Sequence, residues 1–282
     1  MSIWPSFLGE DEASTLCANL TSLEVKEGLW SLKPFKAPGP DGIHAGFFQA
    51  YWQQVGNSVI NEVFKVFHSS TMPPHLNETF ITLIPKHPGA DCLASLRPIS
   101  LCNTIYKVVT KIIVKRLRPL LPNLISPLQT AFILGRMGLD NMIIAQKLIH
   151  TMTLKKGKTG FMAIKIDLEK AYDRLEWHFI MDVLELYRLP PSLIKLIMSC
   201  VSSSSISVLL NGGKLEPFHP FRGIRQGDPL SPYLFIMCME VLGFLISRRC
   251  EENLWDPIRA SRGGQAFSHL FFADDLVIFC KS

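Results

Sequence analysis

The sequence predicts an α+β fold, in which helices alternate with β-hairpins. Residues 160–282 carry this prediction, because they read as strand, helix, hairpin, helix and hairpin. That order is typical of a sheet with helices packed on one face, whereas a doubly wound sheet alternates single strands with helices. The AsnGlyGly turn at 211–213 and the AspAsp pair at 274–275 mark the tips of the two hairpins.

The individual elements follow from apolar spacing and from capping residues. Thr21 or Ser22 begins the first helix, with Glu24 placed for a capping box. AlaProGlyProAspGly at 37–42 enforces a loop before the next helix. The predicted helices are 21–33, 46–68, 106–117, 138–152, 173–188, 192–200 and 229–250. The predicted strands are 79–85, 160–168, 205–210, 215–222, 268–272 and 276–280.

The composition excludes several classes of protein. Of 282 residues, 48% are hydrophobic and 19% are charged, so the chain has a core to bury and is not disordered. Its net charge of +5 permits a polyanionic partner without requiring one. Seven cysteines without CxxC spacing argue against a zinc cluster, a disulfide framework and a disulfide-linked partner. The most apolar run, 233–246, is shorter than the roughly 20 residues that span a membrane, and it contains Glu240.

Three aspartates lie at the ends of apolar strands. Asp167 ends the 160–168 strand, and Asp274 with Asp275 forms the tip of the last hairpin. A buried carboxylate needs a partner, and hard carboxylate oxygens suit Mg²⁺ or Mn²⁺. Two such ions about 3.5–4 Å apart would clamp the attacking and leaving oxygens of a phosphoryl transfer. For either strand alone, turn chemistry or capping is the alternative, whereas the combination favours metal binding.

The segment 222–232, ArgGlyIleArgGlnGlyAspProLeuSerPro, combines glycines with hydrogen-bond donors. Gly223 and Gly227 allow a backbone to approach a ligand closely. Arg225 and Gln226 lie beside the start of a helix, where phosphates bind readily. The segment therefore predicts a nucleotide contact, with a plain loop that enters a helix as the alternative.

Basic residues recur beside the upstream apolar segments. Lys86 follows LeuIlePro, Arg97 precedes ProIleSer, and Arg136 follows Gly135. Each alone is more often a solvated side chain. Together with Lys107, Lys111, Lys115, Arg116 and Arg118 they would form a surface that follows a phosphate backbone, which does not by itself establish nucleic-acid binding.

Seven ordered motifs resemble a known family. In order and spacing, three segments resemble the core motifs of a reverse transcriptase: KIDLEKAYDRLEW at 165–177, GIRQGDPLSPYLF at 223–235 and FADD at 272–275. Four upstream segments resemble non-LTR (LINE-type) retrotransposons, most closely plant elements: LKPFKAPGPDG at 32–42, LIPK at 83–86, RPISLCNTIYKVVTKIIVKRL at 97–117 and QTAFILGRMGLDN at 129–141. The resemblance runs from about residue 21 to the C-terminus.

The resemblance implies a right-hand polymerase that transfers nucleotides from dNTPs to a primer 3′-hydroxyl with two metal ions. By position, Asp167, Asp274 and Asp275 would be the catalytic residues and would bind two Mg²⁺ or Mn²⁺ ions. The implied partners are an RNA template, a DNA primer and dNTPs, with no membrane.

The same resemblance assigns further residues to substrates. Tyr172 would exclude a 2′-hydroxyl by its bulk, and Gln226, Lys86 and Arg97 would also contact the incoming dNTP. The residues implied to contact nucleic acid are Arg136, Arg225 and Phe272. Phe272 stands where many retroviral enzymes carry Tyr.

The implied architecture has three parts: an N-terminal tail or connection (1–20), a fingers-like region (21–159) and a ferredoxin-like palm (160–282). Family members continue past FADD, so the expectation is an incomplete palm, no thumb and a chain truncated after that motif. The thumb and endonuclease regions of a parent polyprotein are expected to be missing. The expected location is intracellular, in the nucleus if the chain is functional.

Three hypotheses about function stay open at this point. The first is the RNA-directed DNA polymerase core, and the second is a catalytically inactive, truncated remnant that at most binds nucleic acid. The third is a related polymerase, either an intron maturase or an RNA-dependent RNA polymerase. Tyr172 argues against an RNA product, and the RPIS and APGPDG segments argue against the maturase.

Overall fold

The computed structural model describes residues 7–155, 160–261 and 263–281. The chain divides into two units, each with its own helices and sheet. The first unit contains residues 9–117 and 172–231, and the second contains residues 118–171 and 232–281 together with residues 7–8. This division does not coincide with the predicted boundary between residues 159 and 160, because residues 172–231 belong with the N-terminal unit. The mixture of helices and sheets confirms the α+β class.

The helices and strands were largely predicted, with shifts at their ends. In chain order the α-helices are α1 (Glu10–Leu16), α2 (Ser22–Trp30), α3 (Ala45–Ala50), α4 (Trp52–Ser69), α5 (Pro74–Asn77), α6 (Thr104–Leu117), α7 (Leu121–Leu124), α8 (Gly138–Leu154), α9 (Ala171–Arg174), α10 (Trp177–Leu186), α11 (Pro191–Ser202) and α12 (Ser231–Glu251). The strands are β1 (Glu78–Pro85), β2 (Leu96–Cys102), β3 (Phe161–Asp167), β4 (Ser205–Leu210), β5 (Gly213–Lys214), β6 (Ile258–Arg259), β7 (Ala266–Phe267), β8 (His269–Phe272) and β9 (Asp275–Lys281).

The first unit holds a mixed sheet with the strand order β2-β1-β4-β5. Strand β1 pairs antiparallel with β2 and parallel with β4. The sequence did not predict β2, because Pro98 lies in its middle and a proline argues against a central strand. The structure resolves the conflict, since β2 is the edge strand of this sheet and needs no hydrogen-bond donor on its outer side.

The helices of the first unit begin as the sequence predicts. Thr21 and Glu24 form the expected capping box, in which the Thr21 hydroxyl accepts from the Glu24 N–H at 3.2 Å and Glu24 Oε2 accepts from the Thr21 N–H at 3.1 Å. Helix α2 packs closely on α6, because a Cβ at Gly28 would lie 3.2 Å from the fully buried Ile112.

Further segments differ from the predictions. The strand predicted over 215–222 does not form: the chain makes the two-residue β5 instead, and Phe218 forms only an isolated bridge with Ile206. In the segment predicted as a tail or connection, the described residues 7–20 include the folded helix α1, and Arg116 donates to the carbonyl oxygens of Leu16 and Ala18. The helix predicted over 173–188 is split into α9 and α10. The carbonyl oxygen of Leu175 accepts from the Gly223 N–H at 2.7 Å, so the interruption between α9 and α10 docks another loop.

The second unit contains a three-stranded antiparallel sheet with the order β3-β9-β8. Helix α8 contributes Leu148 to a buried cluster with Leu270, which lies on one face of β8. Helix α12 closes on the other face, where a Cβ at Gly243 would lie 3.0 Å from His269. The prediction of helices on one face is therefore wrong for this sheet. Strand β8 has apolar or buried residues on both faces, so both faces require cover.

Two predictions about the chain as a whole concern membranes and cysteines. Among the described residues, the helices lack the combination of length and apolarity that crossing a bilayer requires. All seven cysteines are free thiols, of which Cys17 and Cys92 are exposed. The four buried cysteines are Cys102, Cys200, Cys238 and Cys280.

Candidate active site

Asp167 and Asp275 come from neighbouring strands of the second unit. Strand β3 ends at Asp167 and β9 begins at Asp275, and the two residues are register partners in the antiparallel pair. Residues directly opposite each other in such a pair project from the same face of the sheet. The structure therefore brings these two predicted carboxylates together, and both are exposed.

The third carboxylate lies in the turn between β8 and β9. Phe272 pairs with Asp275 across the hairpin, which leaves Ala273 and Asp274 as the two turn residues. Ala273 has φ of +54°, a conformation that residues other than glycine seldom adopt and that tight hairpin turns require. The turn places Asp274 next to the Asp167–Asp275 pair along the chain.

The carboxylates fit a hard divalent cation by their chemistry. Asp275 is 53% exposed, and its Oδ1 lies 3.3 Å from the ammonium nitrogen of Lys165. This exposed carboxylate therefore already pairs with one cation of the protein. In the part of the chain that the structure describes, no group of three His, Cys, Asp or Glu side chains is arranged to hold a metal ion. The donor set suits Mg²⁺ or Mn²⁺, while the geometry is not that of a completed site.

Lys86 and Arg97 lie together on the β1–β2 hairpin of the first unit. Ile84 is the register partner of Arg97, and Lys86 follows Ile84 by two residues, so both basic side chains project from the same face. Both residues are exposed, and Lys86 Nζ donates to the Ala94 carbonyl oxygen at 2.7 Å. The structure thus brings together the two basic residues that the sequence assigned to the dNTP.

The glycine-rich loop docks on the segments that carry the other predicted dNTP residues. The Ile224 N–H donates to the Tyr172 carbonyl oxygen at 2.9 Å, and the Ser100 N–H donates to the Gln226 carbonyl oxygen at 2.7 Å. Gly223 has φ of +86°, and a Cβ there would lie 2.9 Å from the Asp173 carbonyl oxygen. The loop requires glycine at this position because its backbone packs directly against another backbone.

Arg225 does not face solvent, in contrast to its predicted contact with nucleic acid. It is 8% exposed, and its guanidinium donates to Thr79 Oγ1 at 2.7 Å and to the Cys200 carbonyl oxygen at 2.9 Å. It also lies 3.5 Å from the buried Asp228 carboxylate, to which the Tyr106 hydroxyl donates at 2.5 Å. Burial raises the pKa of Tyr106, which keeps this hydroxyl protonated. The network argues against the predicted contact, because a buried guanidinium with internal partners cannot reach a phosphate.

Arg136 is likewise engaged within the protein. Its guanidinium donates to the carbonyl oxygens of Pro122, Ile125, Ser126 and Gln129. Burial lowers the pKa of Arg136. These four bonds tie the 122–136 segment into a closed loop, so the structure gives Arg136 a role in loop geometry and argues against a free phosphate ligand.

Phe272 stays accessible, as its predicted contact with nucleic acid requires. The side chain is 51% exposed. One edge of the ring packs over Gly138, where a Cβ would lie 2.5 Å from Phe272 Cε2. Gly138 therefore fixes the position of an otherwise exposed ring.

Three buried polar residues in or against the 126–136 loop were missed from the sequence: Gln129, Asn141 and Glu240. Their exposed fractions are 1%, 7% and 6%. Glu240 Oε1 accepts from the Ser126 N–H at 3.1 Å, and burial raises the pKa of Glu240 to about 7. A single polar residue in an apolar segment gives no signal of such contacts, although Gln129 and Asn141 both lie in the QTAFILGRMGLDN motif.

Known proteins resemble this chain over most of its length. A family model described as "Reverse transcriptase (RNA-dependent DNA polymerase)" matches residues 84–282. The Transposon TX1 uncharacterized 149 kDa protein of Xenopus laevis is 29% identical over 82% of this chain and 17% of its own length. A retrovirus-related Pol polyprotein from the retrotransposable element R2 of Nasonia vitripennis is 29% identical over 87% of this chain and 22% of its own length.

A shorter similarity concerns a plant protein. An uncharacterized mitochondrial protein of Arabidopsis thaliana is 49% identical over 67 residues, which is 24% of this chain. It supports the predicted plant likeness only weakly, because it covers so little of the chain. The chain spans about a fifth of the length of the R2 and TX1 relatives. The family match and these retrotransposon relatives confirm the resemblance, and the chain belongs to the reverse transcriptase (RNA-dependent DNA polymerase) family.

Proposed function

We propose that this chain is the RNA-directed DNA polymerase core of a LINE-type retroelement. It would add nucleotides from dNTPs to a primer 3′-hydroxyl on an RNA template. The observation that carries the proposal is the register pairing of Asp167 with Asp275, next to Asp274 in the hairpin turn. The family match to residues 84–282 supports it independently of that geometry.

The carboxylates supply the charge that a phosphoryl transfer needs. Asp167, Asp274 and Asp275 would hold two Mg²⁺ or Mn²⁺ ions, which when bound stabilise the charge of the transferred phosphoryl group and activate the primer hydroxyl. The protein provides position and electrostatics rather than a nucleophile of its own. The exposure of Asp167 and Asp275 leaves the two carboxylates themselves accessible to a substrate.

The substrate contacts are assigned to side chains that the structure leaves accessible or half-buried. Lys86 and Arg97 present two positive charges on one face of the β1–β2 hairpin, which suits a triphosphate. Tyr172 and Gln226 are half-buried and tethered through the glycine-rich loop, and we assign them to the sugar and base of the dNTP. Phe272 would support the primer end through its exposed ring.

We extend the proposal to the predicted parts of a right-hand polymerase. Residues 21–159 would act as fingers and residues 160–282 as palm, with an RNA template and a DNA primer as partners. The net charge of +5 is compatible with these polyanionic partners. We also propose a nuclear location, since a LINE-type element acts on chromosomal DNA.

One observation favours the alternative function, a catalytically inactive remnant that only binds nucleic acid. Lys165 already neutralises Asp275 at 3.3 Å, so one of the three carboxylates is paired within the protein. The pair is exposed on both sides, and exposed pairs contribute at most about 1 kcal/mol, which a divalent cation readily exceeds. The ion pair therefore leaves the polymerase the better-supported function.

Primer extension separates the two functions. We expect the purified chain to incorporate dNTPs on a primed RNA template with Mg²⁺ or Mn²⁺, and Asp274→Ala to abolish the incorporation. Asp182→Asn, which changes an exposed aspartate in α10, is the matched control and should keep full activity. Folding of each variant is checked by circular dichroism. Equal activity of Asp274→Ala and the control would refute the assignment of Asp274.

A further inference from the structure

The carboxylate hairpin is held in place by a loop outside the predicted catalytic motifs. The loop at 126–136 runs beside β8, where the Phe271 N–H donates to the Leu128 carbonyl oxygen at 2.9 Å and the Thr130 N–H donates to the Phe271 carbonyl oxygen at 3.3 Å. Gln129 and Phe271 form a parallel bridge. The loop thus acts as an additional short strand at the edge of the sheet that carries Asp275.

Gln129 reaches from this loop to the turn itself. Its Oε1 accepts from the Ala273 N–H at 3.2 Å and from the Ala131 N–H at 3.0 Å. One side-chain oxygen therefore joins the loop to the residue that immediately precedes Asp274. Because Gln129 is only 1% exposed, water does not compete for this oxygen.

The hydrogen bond from the Ala273 N–H to Gln129 lies at a residue with an unfavourable backbone conformation. Ala273 adopts φ of +54° without being glycine, and such a conformation persists only when the surrounding structure holds it. Asn141 reinforces the same place, since its Nδ2 donates to the carbonyl oxygens of Leu128 and Phe271 at 2.8 and 2.9 Å. Two buried amide side chains thus tie the hairpin to the loop.

We infer that Gln129 is a positioning residue for the carboxylates. It holds the Ala273 peptide and so sets the direction in which Asp274 leaves the turn. This inference rests on the proposed function, because it assumes that Asp274 binds a divalent cation. Because Gln129 is buried, we assign it no contact of its own with substrate or metal. Its loss is therefore expected to weaken metal binding while the fold persists.

Two variants test the inference. Gln129→Met keeps the length and volume of the side chain but removes the oxygen that accepts from Ala273. Thr130→Val is the matched control, because Thr130 is buried in the same loop and its hydroxyl has no hydrogen-bond partner among the described residues. If Gln129→Met does not fold, Gln129→Asn replaces it, since the shorter amide falls one methylene short of the Ala273 N–H.

Two measurements are made on the full chain with Mn²⁺ alone. Electron paramagnetic resonance of free Mn²⁺ gives the dissociation constant, and hydrogen exchange gives the protection of the Ala273 amide relative to Phe279 in β9. We expect the Gln129 variant to raise the Mn²⁺ dissociation constant on the order of fivefold, the effect of one hydrogen bond. We also expect faster exchange at Ala273, whereas Thr130→Val changes neither value.

Measuring Asp274→Asn beside the Gln129 and Thr130 variants separates failure of the inference from failure of the proposed metal site. If Asp274→Asn weakens Mn²⁺ binding and the Gln129 variant does not, Gln129 is merely structural and the inference is wrong. If Asp274→Asn leaves Mn²⁺ binding unchanged, the metal site of the proposed function is wrong and the inference falls with it. Weakened binding in both, with the control unchanged, supports the positioning role.

Discussion

Arg225 offers a sharp test of the structure, because sequence and structure give it different roles. We consider Arg225→Met, which removes the guanidinium but keeps an unbranched side chain of similar length. Asp228 would then keep its bonds to Tyr106 and to the Leu230 N–H, yet its buried charge would lose its only nearby cation among the described residues. Its carboxylate is 4% exposed, so solvent does not replace that cation.

The expected cost is large. Removing one partner of a buried ion pair destabilises a protein by about 3–5 kcal/mol. In a chain of this size, that corresponds to a fall in melting temperature on the order of 10 °C. Arg222→Met is the matched control, because Arg222 pairs with Glu176 at 3.3 Å in an ion pair that is nearly half exposed on both sides. Its loss should cost at most about 1 kcal/mol.

Thermal unfolding followed by circular dichroism measures both variants, and fluorescence anisotropy measures their affinity for a primed RNA. We expect Arg225→Met to melt well below the wild type and Arg222→Met to melt with it. An Arg225→Met protein that keeps the wild-type melting temperature but loses affinity for the RNA would refute the buried structural role of Arg225. In that case Arg225 contacts nucleic acid, as the sequence first indicated.

Three further predictions concern other sites. Burial raises the pKa of Glu240 to about 7, so this residue lowers the free energy of unfolding by up to about 3 kcal/mol as pH rises from 4.5 to 7. Burial lowers the pKa of His269 to about 4, so this residue lowers the free energy of unfolding as pH falls from 6.5 to 4. Urea unfolding should therefore show Glu240→Gln gaining stability relative to the wild type as pH rises from 4.5 to 6.5, since the variant lacks the buried carboxyl; a stability difference that stays constant over that range would contradict the assignment. Gly223→Ala should lower the urea midpoint, because the new Cβ would lie 2.9 Å from the Asp173 carbonyl oxygen at a positive φ, and an unchanged midpoint would argue against that close contact. Tyr172→Ala should raise the incorporation of ribonucleotides relative to dNTPs in primer extension, since the ring that blocks the 2′-hydroxyl is gone, and an unchanged ratio would remove Tyr172 from the sugar site.

The sequence was informative where local rules decide the structure. The Thr21 and Glu24 capping box forms as predicted, and the strands that end at Asp167 and begin at Asp275 lie within one or two residues of their predicted limits. These features depend on neighbours in sequence, on hydrophobic alternation and on turn residues. The sequence did not predict that the two carboxylate strands pair; it predicted only, from the combination of aspartates and from the motifs, that the three carboxylates bind metal together.

The sequence was uninformative where long-range burial decides. Nothing local separates Arg225, which is 8% exposed, from Arg222, whose side chain is 46% exposed, although only two residues lie between them. The same holds for Gln129, whose partner Ala273 lies 144 residues away in the sequence. A hydrogen bond over that separation depends on how the sheet and the loop fold together, so side-chain chemistry alone does not reveal it.

Single-nucleotide addition tests the polymerase function most directly. The purified chain is bound to an RNA template with an annealed DNA primer, and one complementary dNTP is added with Mg²⁺ or Mn²⁺. We predict a primer longer by one nucleotide for the wild type and for Asp182→Asn, and an unextended primer for Asp167→Asn. A folded wild-type chain that binds the primed RNA yet adds no nucleotide at any concentration of either metal would contradict the polymerase and establish the inactive remnant.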